Sequence, residues 1–275
     1  MKLIRKATLT TGLLIAAATV GRAAPAQAFS LYFGEDLGQG EQVRLNATPN
    51  ANRARDEFLS NLIGVGTENF ERYSVETEAP LSISFGSAGT ATLLGNGFID
   101  SVNGNTTNGV GRYPISGNKY WEASNQFGIT FSKAVAAFGF YGVDIGDFEG
   151  QLTLTLLNTV TNFQQTVTVP HTMQGLGGGV LYFGLIAESD ELFDRIMFGN
   201  TAPGVDYFSF DNMTVGSLEQ VVPTETSPSG GIGGSGSSEP VPEPLSMAGM
   251  ILGGAMLAGT RKLRQGRQKV AANKG

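Results

Sequence analysis

The chain contains no cysteine, one histidine and one tryptophan among its 275 residues. Without thiols there can be no disulfide, thiolate nucleophile, iron–sulfur cluster or cysteine-based zinc site. A single imidazole, His171, excludes a histidine-rich metal centre, and any histidine-dependent triad would hang on that residue. No G-x-S-x-G element exists to pair with it. It follows Val169-Pro170 at an expected strand end and reads as an exposed or turn histidine. Charge is sparse, at 15% of residues, whereas glycine is abundant at 39. That balance points away from long solvent-facing helices and towards a loop-rich β protein.

The formal charge of −6 hides an uneven distribution. Ten of the 18 basic residues lie before residue 29 or after residue 260, leaving eight against all 24 acidic residues, a net charge of −16 between the ends. A body this acidic is a poor nucleic-acid binder, because phosphate neutralisation needs clustered Lys and Arg. Divalent cations and neutral polymers fit it better as partners.

The basic ends read as addresses. Lys2, Arg5 and Lys6 precede the apolar stretch Gly12–Val20, and Ala26-Gln27-Ala28 offers a small-x-small cleavage site ahead of Phe29. Residues 1–28 therefore read as a secretory signal peptide, too short in its apolar run to span a bilayer. Export without cysteine suits a bacterial envelope protein. At the other end, residues 218–240 form a linker that includes the Pro/Ser/Gly tract Pro223–Pro240. Its 18 residues would reach about 23 Å as a flexible chain. Then come Pro242-Glu243-Pro244, the apolar Leu245–Thr260 and the basic Arg261, Lys262 and Arg264. Sixteen apolar residues make a helix of about 24 Å, marginal for a transmembrane span. The basic flank would keep the C-terminus on the cytoplasmic side of the inner membrane.

This fixed order over residues 241–275 resembles the PEP-CTERM sorting signal of bacterial exported proteins. The resemblance implies recognition of Pro242, Glu243 and Pro244 by an exosortase-type processing enzyme, with Arg261, Lys262 and Arg264 as the basic stop. The tail Gln265–Gly275 runs longer than such signals usually do. The resemblance further implies a membrane-anchored precursor released to the cell envelope or extracellular matrix.

Residues 29–217 are long enough for one domain with a substantial core. One helix is expected over Asn52–Leu62, capped by Asn50 or Asn52, with Phe58, Leu59 and Leu62 on its apolar face. Period-two alternation marks Leu81–Phe85, Phe127–Phe131 and Leu152–Leu156 as strands. Val167 and Val169, Val180–Ala187, Phe193–Phe198 and Val205–Val215 add more, separated by turns at Asn103–Asn105 and Gln174–Gly179. About ten short strands without a βαβ rhythm predict an all-β, antiparallel, jelly-roll-like sandwich with one short helix. An immunoglobulin-type sandwich is the alternative. The stretch from Phe138–Gly142 to Phe210–Asn212 also resembles β-sandwich ectodomains found ahead of PEP-CTERM tails.

Three groups of residues could carry chemistry. Glu35 and Asp36, the run Asp144, Asp147 and Glu149, and Asp211 could supply oxygens to Ca2+, with Glu35 or Asp36 tied across strands to Asp211. Tyr113, Tyr120 and Trp121 lie in the polar stretch RYPISGNKYWEASN and could stack on sugar rings of an exopolysaccharide, with core packing as the competing role for the tryptophan. Arg112 fits a structural hydrogen-bonder. Glycan hydrolysis would need two carboxylates flanking a cleft, such as Glu122 with Asp144 or Glu149, and nothing in the sequence marks them as a pair. The residues thus predict a non-catalytic structural or adhesive protein, with a calcium-supported carbohydrate-binding module as the second reading.

Overall fold

The computed structural model describes residues 29–146, 150–202 and 204–223. The expected signal peptide, most of the linker, the Pro-Glu-Pro motif and the apolar tail lie outside the described residues. Among the described residues, no helix is long and apolar enough to cross a membrane.

Alternation becomes strands as the sequence predicts, in larger number. They are β1 (Ser30–Asp36), β2 (Gly66–Glu68), β3 (Leu81–Ser84), β4 (Thr90–Leu94), β5 (Gly97–Ser101), β6 (Lys119–Ser124) and β7 (Gly128–Val135). There follow β8 (Ala137–Val143), β9 (Leu152–Asn158), β10 (Phe163–Thr168), β11 (Val180–Ile186), β12 (Phe193–Asn200) and β13 (Tyr207–Gly216). They form two antiparallel sheets. One runs β1-β11-β8-β13-β6-β5, with β2 added against β13; the other runs β10-β9-β12-β7-β4-β3.

The facing sides of the sheets interdigitate through aromatic rings. Phe140 and Phe210 stack at 4.9 Å, and Phe127 and Phe198 at 4.0 Å. Phe138, Phe193 and Phe208 are buried with them. Alternate residues on the central strands point the other way, and on the first sheet these are also buried, because a helix and a long loop cover that outer face. Tyr141 and Tyr182, for example, meet edge to face at 4.9 Å under the helix.

That helix is α1 (Pro49–Ser60). It starts three residues before the expected Asn52, and neither Asn50 nor Asn52 caps it. Thr48 at the N-cap makes no side-chain capping bond to the helix backbone; Pro49 follows in the first turn, where its missing N–H costs nothing. The free amides of Asn50 and Ala51 donate instead to the Asp36 carboxylate on β1, at 3.1 and 3.0 Å. A long-range cap replaces the local one. The helix buries Ala51, Ala54 and Phe58, a narrow stripe one turn apart. Phe58 descends over Gly139 and Gly184, where an added Cβ would come within 2.8 and 2.7 Å of its ring. Glycine at these two positions is what lets the helix sit against the sheet.

Candidate functional site

Beyond the helix, the outer face of the first sheet is roofed by the segment between β5 and β6, residues 102–118. Ser209 and Asp211 of β13 hold that roof down. Ser209 Oγ donates to the Tyr113 carbonyl at 2.8 Å. The Asp211 carboxylate accepts from the backbone N–H of Ile115 (2.7 Å) and Ser116 (3.0 Å), and from that of Asn212 (2.6 Å). Asn212 lies at φ +49, where the β13–β8 register shifts, so the bulge turns Asp211 towards the roof. Burial pushes the Asp211 carboxyl up to about 7, against the downward pull of those three N–H donors.

Under the free part of the roof lies a polar cluster. Arg112 Nε contacts Glu122 at 3.1 Å, and Arg112 Nη1 lies 3.6 Å from Asp144. All three side chains are largely buried. Tyr120 Oη donates to Asp100 at 2.7 Å, and the Asn108 amide reaches Glu122 at 3.4 Å. Burial raises the Tyr120 phenol far above its usual range, and its bond to Asp100 adds to the effect. Asp144 also accepts from the Gly178 N–H at 2.7 Å, which ties the roof to the turn before β11.

Several expectations are corrected here. Tyr113, Tyr120 and Trp121 could have offered exposed faces to sugars, with core packing as the competing role for the tryptophan; all three are buried. The stretch read as a polar loop contains β6, in which Trp121 points between the sheets, stacked on Phe70 at 6.5 Å. Tyr120 points outward beneath the roof. Tyr113 is covered by the Arg44 guanidinium, 5.0 Å above its ring, and its hydroxyl donates to the Gly178 carbonyl at 3.0 Å. The alternation of β6 was hard to read because both of its faces are covered, so polar and apolar residues are buried alike.

The expected calcium ligands do not converge. β1 and β13 are separated by β11 and β8, which puts Glu35 and Asp36 roughly 14 Å from Asp211 at ordinary strand spacing. Each carboxylate already has backbone donors: Glu35 accepts from Thr172 N at 3.0 Å, and Asp36 from the start of α1. Asp144 faces Arg112, whose charge opposes a cation there. Asp147 and Glu149 lie outside the described residues. Among the described residues, no three His, Asp or Glu side chains group as a metal site. These residues do not fit a cross-strand calcium.

Glu122 and Asp144, paired in the sequence only as conceivable catalytic partners, do meet in one cluster, but around the guanidinium of Arg112. Arg112 is the structural hydrogen-bonder that its sequence context suggested. His171, expected as an exposed or turn histidine, is not exposed. It is 2% exposed; its Nε2 accepts from the Leu152 N–H at 2.9 Å, and Nδ1 lies 3.1 Å from the Thr172 carbonyl. Burial lowers its pKa.

What the sequence reading missed lies at the uncovered end of the same face. Phe98 and Tyr207 are exposed by 36% and 43% and line a cavity of about 360 Å³ with Glu78 and Asn96. Nothing in their immediate sequence distinguishes them from inward-facing neighbours. Only the register of β5 and β13 and the reach of the roof leave them bare.

No family model matches the sequence, and no curated protein matches it. Among solved structures, the chain is similar to the K2 cleaved adhesin domain of Lys-gingipain, with 12% identity over 55% of this chain and 97% of that one, at a TM-score of 0.31. It is similar also to the CBM22-1 xylan-binding domain of Paenibacillus barcinonensis Xyn10C, with 11% identity over 58% and 96%, at a TM-score of 0.33. A third is a DUF4465 family protein from Bacteroides ovatus, with 11% identity over 68% and 98%, at a TM-score of 0.26. No residue role is carried over from any of them.

Proposed function

We propose that this protein is an exported, non-catalytic β-sandwich delivered by a PEP-CTERM signal to the cell envelope or extracellular matrix, where it has a structural or adhesive role among exopolysaccharide. The observation that carries the reading is the order of the tail: a Pro/Ser/Gly tract, Pro242-Glu243-Pro244, the apolar Leu245–Thr260, then Arg261, Lys262 and Arg264. The domain is consistent with it. Asp211 and Glu35 accept backbone N–H groups and Glu122 pairs with Arg112, contacts that rigidify a surface.

The test is intact-mass analysis of the protein from its native envelope. The mature form should begin near Phe29 and lack the segment after Pro244. Replacing Pro242-Glu243-Pro244 by alanines should leave a longer form in the inner membrane. Full-length protein in the mature fraction of the unaltered strain would overturn the processing.

A further inference from the structure

We infer that the uncovered end of the first sheet's outer face is a binding groove for a neutral polysaccharide, with Phe98 and Tyr207 as its two stacking platforms. The inference rests on the reading of the protein as a matrix component and names the surface that would do the adhering.

The placement follows from register. Phe98 on β5 lies opposite Glu122 on β6, and Tyr207 on β13 lies opposite Ser124. All four side chains are on the outer face, and the two rings stand on strands flanking β6, offset by two residues and so roughly 12 Å apart. The roof stops between them and the rest of the face: Arg112 Nη1 reaches the Tyr207 carbonyl at 3.4 Å, and Glu122 beside Phe98 is already covered. Tyr120, Tyr141 and Tyr182 elsewhere on this face are buried, so among the described residues Phe98 and Tyr207 are the exposed rings here.

Gly95, where the chain crosses from β4 to β5, also lines a second cavity of about 280 Å³, with Leu94, Met197 and Arg195 on the other sheet. Leu94 and Met197 are also exposed.

The chemistry selects the class of chain. A sugar ring offers an apolar C–H face to an aromatic ring and hydroxyls to amides and carboxylates, which here are Asn96 and Glu78. A polyanion would face Glu78 within the groove and a net charge of −16 in the sequence between its basic ends. A helical peptide partner would need a continuous apolar strip, whereas polar Ser124 and Glu122 lie between the two rings.

The experiment uses the full-length chain in detergent and native gels containing glucan, xylan, galactomannan or, as the acidic polymer, alginate. At least one neutral polysaccharide should slow the protein. Phe98→Ser and Tyr207→Ser should each weaken that retardation about tenfold or more, with melting temperatures within about 2 °C of the parent. Phe98→Tyr should retain it. Unchanged mobility in all three neutral gels, retardation by alginate alone, or full retardation of both Ser variants would overturn the inference. Variants that dissolve a dimer while leaving retardation unchanged would reassign the face to self-contact. A chain that is processed at its tail yet ignores all three glycans would sink the groove alone; a retarded but unprocessed chain would sink the sorting reading alone.

Discussion

The two outer faces of the sandwich are built to opposite rules. That of the first sheet is covered by α1 and by residues 102–118, and beneath this cover lie tyrosines, a buried aspartate and an arginine between two carboxylates. On the second sheet the corresponding face carries Ser82, Ser84, Thr92, Thr130, Thr155 and Thr166, half-buried or exposed. Its cross-strand contacts are hydroxyl pairs, Ser82 with Thr92 at 3.0 Å and Thr155 with Thr166 at 2.9 Å. A solvated face needs only β-compatible polar residues, since water satisfies what the neighbours do not. Once a face is covered, its polar groups need partners within the protein, and most on this face have one; among the described residues, the Tyr182 hydroxyl does not.

The contrast should be largest where a buried charge loses its partner. Arg112→Met leaves Glu122 and Asp144 facing each other without a cation and should cost about 3–5 kcal/mol in denaturant unfolding. A cost below about 1 kcal/mol would mean that the roof is held by its backbone contacts instead.

Acid–base linkage sharpens the comparison further, because the covered face holds a group that resists ionising. The Asp211 pKa of about 7 lies above the ~3.9 of an unfolded aspartate, so the folded protein keeps a proton the unfolded chain has lost. Its contribution to stability therefore falls as pH rises from about 4 to 7. His171 works in the opposite sense. Its pKa is lowered by burial, so its contribution is present above about 6.5 and is lost as pH falls through the folded value. Melting curves of the parent and Asp211→Asn between pH 5 and 8 should converge or cross in the variant's favour as pH rises. Parallel curves would show that Asp211 is ionised throughout.

The smallest effect is expected on the bare face. Thr92→Val loses one hydroxyl contact in solvent's reach and keeps β-branching, so it should change stability by no more than about 0.5 kcal/mol. A loss of 2 kcal/mol would mean that this face, too, is covered in the working protein.

The same contrast explains what could be read in advance. β9, with alternating buried and half-buried residues, was legible as Leu152–Leu156, and β11 was legible as the apolar run Val180–Ala187. β13 was placed within two residues of its observed start. β6 was not legible, because Tyr120 is buried and Glu122 half-buried beside Trp121, and the period-two signal disappears. The helix was anticipated but its cap was not, since Asp36 comes from a strand 14 residues away. Among the candidate site residues, Glu35, Asp36, Asp144 and Asp211 were named as calcium ligands, but their partners in the fold were not foreseeable. They are backbone amides and one arginine brought from distant parts of the chain.

Local order along the chain was enough to establish an all-β body without thiol or histidine-cluster chemistry, because alternation and composition act between near neighbours. It was enough, too, to mark the ends as candidate addresses. Which face of a strand becomes interior, where Trp121 points and which aromatic rings stay open to solvent were settled only by packing. Those outcomes depend on strand register and on the length of a covering loop, and no pattern within a strand records what will be laid over it.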